Sequence, residues 1–175
     1  MIEQIFTTRL ELRRLQPNDA DEVFSAYGGR PEVGRYLTWP THKGVEDTRL
    51  FLQHVDRAWN AGVEFTFGLR LRAFNQLIGA FGVQNDDGRL EVGYVLAPTF
   101  WDQGLATEAC SAMVKYLKMW PRVYRIQSFV DAENVASARV LLKSGFVEEA
   151  RLPKWRRFIN QQNTPRDCIQ FRVPL

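Results

Sequence analysis

The run Gln103-Gly104-Leu105-Ala106-Thr107 stands just ahead of a stretch in which Ala109, Met113, Tyr116, Leu117 and Trp120 recur at three- and four-residue spacing. That spacing is one face of an amphipathic helix, so Gly104 falls at a helix start. The first turn of a helix leaves backbone amides without internal partners. With the helix dipole they attract an anion, by ~0.3–1 kcal/mol for the charge effect at an exposed site. Gly104 lacks a Cβ and lets the backbone approach a ligand closely. Ala106 keeps the next position small, and Thr107 adds a hydroxyl donor. This is a phosphate cradle in outline. It is not a Walker loop, because no Gly-Lys-Ser/Thr follows, nor a dinucleotide fingerprint, because the glycine triplet is missing. Taken alone, the turn supports an anion at a helix start, and a plain loop glycine is the commoner meaning of such a signal.

Two further groups carry chemistry. In Arg89–Ala97, strand alternation puts Leu90, Val92, Tyr94 and Leu96 on one face and Glu91, Gly93 and Val95 on the other. A carboxylate opposite an apolar row can take a proton, directly or through water. The alternative is an ordinary solvent-facing glutamate. Asn134 and Ser137 open a short helical stretch, where Asn is a good N-cap and Ser is common in the first turn.

The elements that must position these residues follow from periodicity. Leu10, Leu12 and Leu15 with interleaved charges predict a first strand. Pro17-Asn18-Asp19 predicts a helix start, and that helix runs through Val23 and Phe24 to Gly28-Gly29. A second helix covers Val45 to Ala61, with Gly62 as its stop. Strands follow at Glu64–Arg72, Gln76–Gln84 and Arg89–Ala97, the last two joined by the turn Asn85-Asp86-Asp87-Gly88. Then come a helix at Gly104–Trp120, a strand at Val123–Asp131 and a helix at Asn134–Ser144. Two closing strands, Phe146–Ala150 and Cys168–Val173, flank a polar loop at Asn160–Arg166. Residues 89–146 therefore have βαβ character and contain a parallel pair. The class is a mixed α/β (α+β) sheet with packed helices, expected as one domain over residues 1–175.

Composition narrows the function. The chain has 175 residues, 45% hydrophobic and 25% charged, a soluble balance with a generous aromatic share. The net charge of +3 is scattered, with Lys154-Trp155-Arg156-Arg157 as the one basic cluster, which argues against nucleic acid as a partner. That cluster reads as a solvated basic turn, with contact to an acidic group as the other reading. Cys110 and Cys168, with two distant histidines, lack metal-ligand spacing, so no metal is expected. Met1-Ile2-Glu3-Gln4 lacks the basic and apolar regions of a signal peptide, and no apolar run approaches the ~20 residues of a membrane span. The expectation is a cytoplasmic protein with no membrane partner.

Glu91-Val92-Gly93-Tyr94-Val95-Leu96-Ala97-Pro98, then Trp101-Asp102-Gln103-Gly104-Leu105-Ala106-Thr107-Glu108-Ala109, then Asn134-Val135-Ala136-Ser137 and Ser144-Gly145-Phe146 resemble the GNAT N-acetyltransferase family, in its RimJ/RimL-like branch. The resemblance runs in order from Thr8-Arg9-Leu10 to the last strand. It implies a mostly antiparallel seven-stranded sheet in which two parallel strands, Glu91–Leu96 and Arg125–Val130, splay apart. It implies acetyl-CoA as co-substrate, its pantetheine arm beside Tyr94, Val95 and Leu96 and its pyrophosphate on the amides of Gln103, Gly104, Leu105, Ala106 and Thr107. Asn134 then contacts the pantetheine arm. Trp101 stands where many members carry Gln or Arg, and this substitution fits the branch.

Acetyl transfer to an amine needs a proton acceptor, since a lysine-like amine with a pKa near ~10.4 arrives as ammonium. It needs donors for the carbonyl oxygen and a proton for the departing thiolate. The resemblance makes Glu91 the candidate base and Ser137 the candidate acid. Many members use a Tyr five residues before the Phe of the Gly-Phe pair; Leu141 stands there instead. Tyr36, Trp39 and His42 fall in a loop that in this fold borders the acceptor, where each is a wall or contact residue or else a packing residue. The acceptor is expected to be a peptide N-terminus or a small primary amine, and the branch allows a homodimer. The competing reading is a noncatalytic acyl-CoA sensor or interaction domain on the same fold.

Overall fold

In the computed structural model, which describes residues 1–175, the chain opens with β1 (Gln4–Phe6) and β2 (Leu10–Arg14). A 3-10 turn over Pro17–Asp19 leads into α1 (Ala20–Val23), which continues through a wider π-type turn over Phe24–Gly28. Then come α2 (Pro31–Gly34) and α3 (Val45–Ala61). Gly62, left-handed at φ 75°, ends α3. The strands β3 (Glu64–Leu71), β4 (Gln76–Asp86) and β5 (Arg89–Leu96) form a meander, followed by α4 (Leu105–Lys118), β6 (Arg125–Asp131), α5 (Val135–Lys143), β7 (Val147–Phe158) and β8 (Thr164–Arg172).

These strands make one eight-stranded sheet in the order β1-β2-β3-β4-β5-β6-β8-β7. Every neighbouring pair is antiparallel except β5 and β6. The strand beyond the expected seven is β1, whose three residues are too short to show an alternation. The closing hairpin also runs longer than expected. Its strands reach Phe158 and resume at Thr164, so the polar loop shrinks to a turn containing Gln162 and Asn163 at φ 57° and 53°. Most of β7 faces solvent on both sides. A strand of that kind carries no hydrophobic period to read.

Two apolar clusters sandwich the sheet. Phe65, Phe67 and Leu69 of β3, Phe81 and Val83 of β4, and Leu90 and Val92 of β5 bury themselves against Ala109, Met113 and Leu117 of α4. Trp120 meets Phe65 edge-on, ring centroids 5.5 Å apart. Burial of each such large side chain contributes about 1.5–3 kcal/mol. On the other face Ala80, which alternates with Phe81, packs with Leu15, Val23, Tyr27, Leu52 and Val55.

The parallel pair is brief. It comprises Arg89↔Arg125, Leu90↔Ile126 and Glu91↔Gln127 and then stops. The Ser128 hydroxyl, donating to the Val92 carbonyl at 2.8 Å, is the last link. Beyond it β5 stays paired to β4 as far as Leu96, while β6 stays paired to β8. The sheet therefore opens into a V whose inner backbone groups have no strand partner. Buried backbone groups seldom stay unpaired, so an opening of this kind calls for a ligand or water.

Candidate active site

The orientation of β5 decides which groups face the opening. The Val92 carbonyl points to β6, and the Ala97 amide donates to Ile78 of β4 at 2.8 Å. Backbone groups alternate along a strand. Tyr94 and Leu96 therefore turn their amides and carbonyls into the gap. Val95, expected beside them, turns its backbone to β4: its carbonyl lies against Gly79. Its side chain lines the cleft. The Leu96 carbonyl is taken by the Trp101 indole N–H at 2.8 Å, which pins the following loop to the end of β5.

That loop runs into α4 with Asp102 and Gly104 both left-handed, at φ 59° and 74°. No side chain caps α4. Its first internal bond is Glu108 N–H to the Gly104 carbonyl, 3.0 Å, and the amides of Gly104, Leu105, Ala106 and Thr107 donate to no acceptor in the protein. This set of aligned, free donors suits a phosphate. It contrasts with α5, where the Asn134 side chain accepts from the Ser137 amide at 3.1 Å. Gln103 turns its side chain away to the Thr99 carbonyl and is absent from the cleft wall.

The gap and the loop open into a cleft of about 860 Å³. Tyr94 and Ser137 meet inside it. The phenolic oxygen lies 2.8 Å from the Ser137 hydroxyl and 3.0 Å from the Ser137 carbonyl. The ring stacks on Phe81, centroids 6.0 Å apart. Burial pushes the Tyr94 phenol well above its ordinary range, so it stays protonated at neutral pH. Glu91 stands where the pairing of β5 and β6 ends, half-exposed, and accepts from Gln127 Nε2 at 3.0 Å. It borders both the cleft and a smaller polar hollow of about 280 Å³ lined by His54, Glu64, Gln84 and Arg89 among others.

Residues 9–147 match the acetyltransferase (GNAT) domain family. The chain is a GNAT acetyltransferase. Over 170 residues it is 31% identical to the uncharacterized N-acetyltransferase YoaA of Bacillus subtilis, covering 95% of this chain and 94% of that one. The fold is shared with RimL, a ribosomal-protein α-N-acetyltransferase solved with coenzyme A (TM-score 0.88, 18% identity, 99% and 98% of the two chains). It is shared likewise with the microcin self-immunity acetyltransferase MccE in complex with acetyl-CoA and AMP (TM-score 0.87, 15% identity, 97% and 94%).

The acetyltransferase thus brings Glu91, Tyr94, Val95, Leu96, Gly104, Leu105, Ala106, Thr107, Asn134 and Ser137 to one cleft. Trp39 also lines it, stacked on Phe51 at 5.9 Å. His42 does not: its Nδ1 is held by the Thr48 hydroxyl at 2.8 Å. Burial pushes the thiols of Cys110 and Cys168 up to about 11, so both stay protonated. Leu141 is fully buried in the core.

Sequence reasoning missed a clamp under the cradle. Glu108, in the first turn of α4, accepts from the Thr7 hydroxyl at 2.6 Å, the Arg9 amide at 2.8 Å and Arg9 Nε at 2.7 Å. Arg9 also donates to the Gln103 carbonyl at 2.9 Å. No local signal joins residues about a hundred positions apart. Burial raises the Glu108 carboxyl, but the bonds from Thr7 and Arg9 outweigh it and hold it below its ordinary range. A depressed folded-state value means the stabilisation is full above the unfolded carboxylate value and is lost as pH falls through the folded one. Glu108→Gln is expected to cost about 1–3 kcal/mol at neutral pH. Denaturant unfolding of the two proteins should then converge at acidic pH, and a gap that holds constant with pH would exclude the ionised clamp.

Proposed function

We propose that residues 1–175 form one cytoplasmic, acetyl-CoA-dependent N-acetyltransferase domain of the RimJ/RimL-like kind, acting on a primary amine of a peptide N-terminus or a small molecule. The observation that carries this reading is the adjacency of two sets of unpaired backbone donors. One is the inner edge of β5 at Tyr94 and Leu96, and the other is the uncapped start of α4. An extended arm ending in a diphosphate fits the two together. RimL and MccE, with the same fold, are described with coenzyme A and acetyl-CoA.

Tyr94 and Leu96 hold the arm by strand-like hydrogen bonds, and the amides of Gly104 to Thr107 hold the pyrophosphate. Arg139 and Lys143 of α5 line the same cleft without ion-pair partners and supply positive charge for the phosphates. When bound, acetyl-CoA supplies the acetyl group as an activated thioester. Holding it beside the amine is itself a large part of the rate. Glu91 takes the proton of the arriving ammonium, directly or through a water, and the polar hollow behind it gives that proton a route to solvent.

Ser137 holds the proton for the departing sulfur. The Tyr94 phenol donates to the Ser137 carbonyl and lies 2.8 Å from the Ser137 hydroxyl, so the serine stays oriented and the phenol is placed to turn its proton to the serine oxygen when the serine proton leaves. Ser137→Ala should lower kcat by about a hundredfold, with coenzyme A affinity unchanged. Tyr94→Phe keeps the ring on Phe81 and should lower kcat less. The double variant should be no slower than Ser137→Ala, since both act on one proton; additive losses would separate the two groups.

The test of the function itself is free-thiol release from acetyl-CoA across a panel of amines and N-terminal peptides. Acceleration by a subset is expected. Tight coenzyme A binding with no acceleration by any acceptor would overturn the catalytic reading in favour of a sensor.

A further inference from the structure

The cleft has two sides, and the sheet separates them. Val92 and Leu90 point into the core beneath α4, so the cradle lies on that side. Glu91 points to the other, and its bond from the Gln127 side chain shows that Gln127 shares its face. Strand alternation puts Phe129 there too. Over the Phe129 ring, 4.7 Å from its centroid, lies the Arg156 guanidinium. Both residues line the cleft.

Arg156 differs from the other arginines of its hairpin in having nothing to bind. Arg157 donates to the Asn163 carbonyl at 2.8 Å. Arg166 is paired with Asp131 and Glu133, and Arg35 with Glu133. The Arg156 guanidinium has no carboxylate and no protein acceptor, and it lies exposed over the face of the Phe129 ring. A guanidinium over an aromatic face keeps its donor fork for a bidentate oxyanion. The hairpin that carries it is tied down over the acceptor loop: Asn160 Nδ2 donates to the Gly34 and Trp39 carbonyls, each at 2.8 Å. Phe129 is two residues past Gln127, so the guanidinium stands on the order of 7 Å along the strand from the Glu91 level.

We infer that Arg156 binds an oxyanion on the acceptor itself, and that the preferred acceptor is a primary amine carrying a carboxylate or phosphate a few bonds from its nitrogen. The ammonium end faces Glu91 and the anionic end faces Arg156, so the pocket reads both charges of a zwitterion. This rests on the acetyltransferase reading of the cleft and adds the substrate class to it.

The experiment compares matched acceptors that differ only in the anion. The pairs are β-alanine with β-alaninamide, O-phosphoethanolamine with ethanolamine, and the dipeptide amide Ser-Glu-NH2 with Ser-Gln-NH2. For each pair the ratio of kcat/KM is measured in wild type, Arg156→Gln and Arg156→Lys. Binding of the same compounds to the coenzyme A-loaded protein is measured by calorimetry. At least one pair is expected to favour the anionic member by about tenfold or more in wild type. That ratio should collapse toward one in Arg156→Gln and recover in part in Arg156→Lys. Which pair responds tells a free carboxylate, a phosphate and an acidic peptide apart. Ratios near one for every pair, in both rate and binding, overturn the inference while leaving amine acetylation standing. Anion-selective binding without thiol release would keep Arg156 and remove the catalytic reading.

Discussion

Gly104→Val should weaken coenzyme A binding by about a hundredfold or more, roughly 2.7 kcal/mol. Gly104 sits at φ 74°, a region that costs an L-residue about 1–2 kcal/mol, and more when the side chain is β-branched. Relaxing that strain rotates the very peptide units whose amides make the cradle. A Cβ at this position meets only Arg9 Nη2, at 3.7 Å, so there is room for the atom itself. Gly104→Ala therefore isolates the backbone effect and should show a smaller loss than valine. Calorimetric titration with coenzyme A reads the affinity, and thermal unfolding without ligand reports how much of the change is instability. A valine variant that binds as tightly as wild type would mean that the pyrophosphate rests elsewhere.

Gly79→Ala should be strongly destabilising. Gly79 lies opposite Leu96 in the β4–β5 ladder, and a Cβ there falls 2.1 Å from the Val95 carbonyl oxygen and 3.0 Å from the Leu96 Cα. Both are backbone atoms of the strand that forms one wall of the gap, so no side chain can swing aside to admit the methyl. Overpacking of this kind costs about 3 kcal/mol. At roughly 2–4 °C per kcal/mol for a chain of this size, the melting temperature should fall by roughly 6–12 °C. Gly93→Ala on β5 is the matched control, since a Cβ there meets nothing within 4 Å and should leave the melting temperature nearly unchanged. Equal melting of the two variants would show that β4 and β5 can part at Gly79 without cost.

Local patterns were enough for much of this architecture. The helix at Val45–Ala61 appears with the bounds that its apolar spacing and Gly62 indicate, and the meander strands lie where their alternation puts them. The start of α4 is likewise written in adjacent residues, because a cradle is built from consecutive amides and needs only a short, small-residue turn. The face of Glu91 follows from period-two alternation, and its opposition to Leu90 and Val92 is as read. What alternation could not show is where the pairing of β5 and β6 ends, because strand separation depends on which outer partners each strand keeps.

The sequence by itself therefore determined the order of elements, the helix-start turn at Gln103–Thr107, and the candidates Glu91, Asn134 and Ser137. Only the tertiary structure decided what those residues touch. Tyr94 falls in an apolar row, and a buried phenol needs a partner. That the partner is Ser137, 43 positions away, depends on how α5 packs across the open end of the sheet. The Arg9–Glu108 clamp and the Arg156–Phe129 stack are of the same kind. Each joins residues whose separation in the chain is erased by folding, and whose types alone, a surface arginine or a helix glutamate, also suit ordinary solvated positions. The consecutive amides at the start of α4 are local and could be read in one dimension, whereas the Tyr94–Ser137 and Arg156–Phe129 pairs are contacts between distant strands and helices that exist only once the sheet has closed on one side of the gap and opened on the other.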